Sequence, residues 1–220
     1  MTRHLLRDLE NLKKEILGVG ALVENSIHRA TSALLDRRPE LANEVFRGDE
    51  EIDQREVAIE EDCLKILALH QPVAADLRYI IAVLKVNNDL ERMGDLAVNI
   101  AERAAYLGKH PPLAYPEGFD RLVERVRKMV ANSLNALVEQ DTDMARQVLQ
   151  DDDAVDEIHR EMFEQIQGLM LSSRDNVERA MHFLSASRNL ERIADQATNV
   201  AEDVIFMVEG DIIRHMAPEG

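Results

Sequence analysis

The chain has 220 residues, 45% hydrophobic but only 4% aromatic, with no tryptophan and one cysteine, which is material for one large domain or two small ones. Its formal net charge of −16 argues against nucleic-acid binding and against docking on anionic lipid by charge alone, and suits cations or a basic patch on a partner protein. The lone Cys63 cannot close an internal disulfide, the stretch from Met1 to Asp8 has no signal-peptide apolar region, and the strongest apolar run, Tyr79 to Leu84, is too short to span a bilayer; the expectation is a soluble cytoplasmic protein with no membrane insertion of its own.

The first predicted helix covers 4–36 and stops before Pro39. The second covers 40–70 and is closed by Pro72. Proline ends a helix because it lacks the amide donor and clashes with the preceding turn. The third, 73–107, carries Leu90, Met93, Ala97, Ile100, Ala101 and Ala104 on one face at helical spacing. The stretch 108–118 holds Pro111, Pro112 and Pro116 between two glycines and reads as a linker. The fourth helix covers 119–140, and Gln140-Asp141-Thr142-Asp143 reads as a turn with an N-cap for the fifth, 142–171. Ser172-Ser173-Arg174-Asp175 marks another turn before the sixth, 174–209, whose apolar face is Leu190, Ile193, Ala197, Val200, Ala201 and Val204. No strand-like alternation and no hairpin dipeptide interrupts this pattern, so the fold class is all-α.

The last three segments repeat the first three. Ala33-Leu34-Leu35-Asp36 returns as Ala136-Leu137-Val138-Glu139, an offset of 103, and at that offset Asp49 and Asp53 fall on Asp152 and Asp156. In the third and sixth segments the offset is 100, and Leu90-Glu91-Arg92-Met93-Gly94-Asp95 returns as Leu190-Glu191-Arg192-Ile193-Ala194-Asp195. The second copy is therefore three residues shorter, near a hairpin tip. The expected architecture is two tandem three-helix bundles, 1–107 and 119–210, joined by 108–118.

Core packing alone would repeat only apolar positions, yet acidic and amide positions repeat here as well. At 100° per residue, Glu91, Asp95, Asn99 and Glu102 fall in one narrow stripe on the third helix, nearly opposite its apolar face. Glu191, Asp195, Asn199 and Glu202 form the same stripe on the sixth. The pairs Asp49/Asp53 and Asp152/Asp156 stand at i, i+4 on the second and fifth helices, where neighbouring carboxylates can share a hard cation. Asparagine is a poor helix former, and a merely solubilising face gains nothing from it. Spacing and duplication leave two readings open, a metal site and a solvated acidic face.

These motifs resemble the PhoU family of bacterial phosphate-uptake regulators. The two Glu-Arg-x-x-Asp copies, the acidic pair on each preceding helix, the Asn-x-x-Glu tails and Val73-Ala74-Ala75-Asp76-Leu77-Arg78 carry the resemblance, which covers about residues 5–210. It implies two three-helix bundles whose acidic motifs hold multinuclear iron or zinc clusters, with other divalent ions open. Asp49, Asp53, Glu91 and Asp95 would form one metal patch, and Asp152, Asp156, Glu191 and Asp195 the other. The resemblance further implies a cytoplasmic negative regulator of the phosphate-starvation response and not an enzyme. Its partners would be the ATPase subunit of a phosphate transporter and a sensor histidine kinase, reached at the inner membrane; a homodimer stays open. Asn88-Asp89 becomes Arg188-Asn189 in the second copy, so the two patches are expected to differ in occupancy.

Other residue pairs carry weaker chemical signals. Asp156 and His159 make one carboxylate–histidine pair at i, i+3, whereas ferritin-like di-iron enzymes need paired Glu-x-x-His motifs. A plain helical scaffold with solvated acidic faces is the remaining alternative. Glu24 and His28 read as a solvated pair and Cys63 as an inert thiol. Arg78, Arg92 and Arg192 read as salt-bridge partners of neighbouring acids.

Overall fold

A computed structural model describes residues 3–211; Met1 and Thr2, at the head of the expected first bundle, and residues 212–220 lie outside the described residues. The chain is all-α, with α1 Arg3–Leu35, α2 Pro39–His70, α3 Ala74–Gly108, α4 Phe119–Glu139, α5 Thr142–Ser172 and α6 Val177–Glu209. A short 3-10 turn, Arg174–Asn176, leads into α6. That turn corrects the expected start of the sixth helix at 174. The Ser173 hydroxyl accepts the Asp175 amide and tightens the chain there before α-helical bonding begins.

The helix ends follow local chemistry. Pro39 takes the first position of α2, where its missing N–H costs nothing. Gln71 closes α2 in the left-handed region and donates its N–H to Leu67 O, and Pro72 follows. The Asp141 side chain accepts the Met144 amide at 2.9 Å, as the sequence suggested for an N-cap. Gly210, at φ 87°, ends α6 by donating to Phe206 O, a conformation that glycine adopts freely.

Helices α1, α2 and α3 pack on one another, as do α4, α5 and α6. The two sets meet through α3 against α6 and α1 against α4. This explains an asymmetry among the helices. On α1 the buried side chains Leu12, Ile16, Val19, Val23, Ile27, Ala30 and Leu34 form a single stripe. On α3 and α6 burial wraps further round. Besides the expected apolar face, α3 also buries Ala82, Asp89 and Leu96, because it serves its own bundle and α6 at once. Small residues are fully buried on both helices, notably Ala97, Ala101 and Ala104 on α3 and Ala197 and Ala201 on α6.

Helices α3 and α6 run antiparallel. Lys85 near the start of α3 pairs with Asp203 near the end of α6. At the other end Tyr106 is sandwiched between His110 and His182, with ring centroids 3.9 and 3.8 Å away. Between α1 and α4, a Cβ on Gly20 would stand 3.1 Å from Leu134, so that glycine marks a close helix crossing. Among the described residues no helix is long and apolar enough to cross a membrane.

Candidate functional site

The repeated carboxylates lie on the seam between the second and third helix of each bundle. Gly94 and Ile52 show why the two helices come so close in the first. A Cβ on Gly94 would meet Ile52 Cδ1 at 3.3 Å and Asp49 Oδ1 at 3.6 Å. Two helical turns earlier, the Asn87 amide donates to the Glu56 carbonyl at 2.9 Å and ties α3 to α2 again. Both contacts border the Glu91–Asp95 stripe. The stripe therefore flanks a helix–helix seam, where the sequence had placed it nearly opposite the packed face.

Burial along the seam is graded. Asp49 and Glu91 are half-buried, whereas Asp53 and Asp95 are exposed beside them. In the second bundle Asp152 and Glu191 are half-buried, and Asp156 and Asp195 exposed. The electrostatics show which acids face one another. Burial raises the Asp49 carboxyl above the ordinary range, and the charges of Asp53 and Asp95 raise it further. Glu91 is raised by burial and then by Asp95, Asp53 and Glu56, with Arg92 opposing. Asp152 is pushed up to about 6, first by burial and then by Asp156, Asp195, Asp153 and Glu191. Glu191 is raised by burial, Asp195 and Asp156, and Asp195 by burial and Asp156. Each expected quartet thus forms one mutually repelling group: Asp49, Asp53, Glu91 and Asp95 across α2 and α3, and Asp152, Asp156, Glu191 and Asp195 across α5 and α6.

The tails of the stripes continue along the same two helices. Glu102 is eleven residues from Glu91, about 16 Å along the helix axis. Its carboxylate accepts a hydrogen bond from the Arg103 guanidinium at 3.1 Å. Asn99 and Asn199 are half-buried one turn beyond Asp95 and Asp195, and Glu202 is half-buried further along α6. Asn99, Asn199, Glu102 and Glu202 therefore extend the two stripes along α3 and α6.

Two neighbours of the quartets carried little weight in the sequence. Glu56, which adds its charge to the first, occupies in register the place that His159 takes in the second. His159 is half-buried, and its Nδ1 is buried with no hydrogen-bond partner. Burial and the Arg188 charge hold its imidazole below the usual range, against the pull of Asp156. A search for a second histidine misses this relation; the offset of 103 that aligns Asp53 with Asp156 also aligns Glu56 with His159.

The donor set suits a hard or borderline cation in kind. It consists of carboxylates on two adjoining helices, partly removed from water and repelling one another, with an orphaned imidazole nitrogen beside the second group. The side chains are not drawn together in this arrangement: among the described residues no three His, Cys, Asp or Glu groups are gathered so as to hold a metal ion. Like charges at such spacing push apart, and a cation between them would relieve that repulsion.

The remaining candidates sit elsewhere. Cys63 is fully buried, and burial pushes its thiol up to about 12. Arg78 does not bridge to a neighbouring acid as expected; its Nε donates to Met207 O at 3.2 Å, near the end of α6. Arg92 and Arg192 are exposed, and among the described residues neither reaches an acid within salt-bridge distance. Glu24 borders a groove of 530 Å³ between α1 and α4 together with Arg127 and Lys128, and none of the quartet residues lines it.

Comparison with known proteins agrees with this architecture. The family model described as the PhoU domain matches the chain twice, over residues 16–104 and 119–204. A phosphate-specific transport system accessory protein PhoU homolog of Aquifex aeolicus is 43% identical over 211 residues, covering 96% of each chain. The crystal structure of PhoU from Pseudomonas aeruginosa superposes with a TM-score of 0.89 at 37% identity, covering 93% of this chain and 99% of that one. The phosphate transport system regulatory protein PhoU from Streptococcus pneumoniae gives a TM-score of 0.88 at 30% identity, covering 94% and 98%. With two family domains matched and its relatives aligned almost end to end, the chain belongs to the PhoU family.

Proposed function

We propose that this accessory protein of phosphate transport is a metal-binding cytoplasmic regulator that restrains the phosphate-starvation response. The supporting observation is the pair of carboxylate quartets, each divided between two helices and each raised by its own crowding. Asp49, Asp53, Glu91 and Asp95 would hold iron, zinc or another divalent ion on the first bundle, and Asp152, Asp156, Glu191 and Asp195 on the second. A bound cation would supply positive charge to the seam. The carboxylates of α2 would then be fastened to those of α3, and those of α5 to α6.

The protein acts as an adaptor between the ATPase subunit of the phosphate transporter and a sensor histidine kinase, at the inner membrane surface through those partners. Its acidic surface suits basic patches on them. Metal analysis of protein purified without chelator tests the metal assignment. Asp95→Ala combined with Asp195→Ala lowers the metal content, and content equal to the wild type would refute it. Deleting the gene tests the regulatory assignment: alkaline phosphatase activity rises in phosphate-rich medium, and unchanged repression would count against it.

A further inference from the structure

The two ends of the α3–α6 interface correspond in the duplication. At one end the chain leaves α3 at Gly108 and passes the start of α6. There Arg179 donates to Pro111 O at 2.9 Å, and Leu113 lies half-buried against the core. At the other end the chain leaves α6 at Gly210 against the start of α3. There Arg78 donates to Met207 O at 3.2 Å, and a Cβ on Gly210 would stand 3.7 Å from the Arg78 guanidinium. The offset of 100 puts Ile213 in register with Leu113. The described residues stop at Asp211, next to a groove of about 380 Å³ between α1, α3 and α6. Leu6, Leu9, Tyr79, Met207 and Val208 give this groove apolar walls, and Leu6 and Val208 are still 46% and 39% exposed.

We propose that this groove is the docking site of the chain's own segment Ile212-Ile213-Arg214-His215-Met216, which straps the end of α6 to α1 and α3. Reach is sufficient. Five extended residues span roughly 16 Å, and the groove begins at Met207 and Val208, within one turn of Gly210. The chemistry matches too. Ile212, Ile213 and Met216 are apolar, and the walls gain by being removed from water. The groove's two cations are already engaged: Lys13 donates to Val138 O at 2.9 Å and Arg78 to Met207 O. Its acids, Glu10 and Asp76, make no ion pair among the described residues. They face the groove as partners for Arg214 at its rim, where such a pair adds direction more than strength. The strap would hold α6, the last helix of the second bundle, onto two helices of the first, and keep other apolar segments out of the groove.

The test uses the full chain, which has no tryptophan of its own. Ile213→Trp therefore carries a single indole whose emission reports its surroundings. The expected emission is blue-shifted and shielded from iodide, and the shift is independent of protein concentration. Adding Leu6→Glu with Val208→Glu charges the walls at two exposed positions, which leaves the fold intact, and moves the emission back to that of an indole in water. Emission that those glutamates leave unchanged would overturn the inference. So would a blue shift that grows with protein concentration, which would put the segment in the groove of a second copy. A second pair of variants covers an indole too large for the groove. Ile212→Ser with Ile213→Ser speeds amide hydrogen exchange in the last turn of α6 at least about ten-fold, because the strap no longer holds that turn. Exchange at the wild-type rate in the serine variant, with its helical circular dichroism intact, would overturn the inference.

Discussion

Lys85 Nζ stands 2.8 Å from Asp203 Oδ1 across the α3–α6 interface, and the duplication supplies no second copy of this pair. The mirrored positions are Ser185 and Arg103. Asp203 is 1% exposed, while Lys85 keeps over a third of its side chain in water and also lies 5.0 Å from the Phe206 ring centroid. The two bundles thus meet through a polar lock at one end and through the Tyr106–His182 stack at the other.

This pair makes an asymmetric prediction. Lys85→Met removes the ammonium that pairs with the buried Asp203 carboxylate and destabilises the fold by about 2–3 kcal/mol. Asp203→Asn costs less, because the freed ammonium of Lys85 can turn to solvent. Urea denaturation of the two variants checks the order. Equal midpoints would show that the carboxylate is not the costly partner.

Gly94 and Ile52 predict a compensated swap. The second repeat has Ala194 and Val155 at the matching places, one methylene moved from the second helix to the third. Gly94→Ala alone gains helix propensity of up to about 1 kcal/mol but presses its new methyl on Ile52. Gly94→Ala with Ile52→Val removes the pressure and is at least as stable as the wild type. Gly94→Leu has no such relief and forces α2 from α3, with loss of stability. Thermal melts with and without Zn²⁺ decide each case.

Cys63 offers a probe of local opening. It is buried, with its thiol held protonated by its surroundings and by the acids Asp62 and Glu60. In the native protein a thiol reagent reacts only as fast as α2 opens, and in denaturant it reacts at once. Rapid labelling under native conditions would show that α2 opens readily from its bundle.

The helices were legible because their signals are local. Pro39, Pro72, Asp141 and the proline-rich stretch 108–118 punctuate strong 3.6-residue periods, and the offsets of 103 and 100 expose the duplication. The face of α3 was less legible. One helical wheel gives one apolar stripe, but residues of α3 that meet α6, such as Lys85 against Asp203 and Arg103 beside His182, are polar and carry no hydrophobic signal. A wheel therefore places Glu91 and Asp95 on open surface, when they border the α2 seam. Glu56 and His159 were hidden for a different reason. Motif matching looks for identical residues at repeated positions, and here a carboxylate on α2 stands in register with an imidazole on α5.

Asp152 predicts a pH dependence opposite to that of an ordinary salt-bridged carboxylate. Its pKa rises from 3.8 to about 6 on folding. Below pH 3.8 the group is protonated in both states, and between that value and about 6 only the folded protein retains the proton. Stability from this group is therefore full below the unfolded value and is lost as pH rises through the folded one. Asp152→Asn, which cannot ionise, should stabilise the chelator-treated protein by about 1 kcal/mol at pH 7.5 once partial exposure is discounted, and by nothing at pH 3.5. Burial and mutual repulsion both act in this direction, so their relative shares do not alter the sign. On the proposed metal assignment the order inverts with saturating Zn²⁺ at pH 7.5, because a cation bound to the folded state alone stabilises it by mass action and the asparagine variant would lack one of the proposed ligands. Melting curves in chelator at the two pH values check the gain at pH 7.5 and its absence at pH 3.5, and curves in zinc at pH 7.5 check the inversion. A variant less stable than the wild type in chelator at pH 7.5 would mean that the Asp152 carboxylate already has a favourable partner in the metal-free fold.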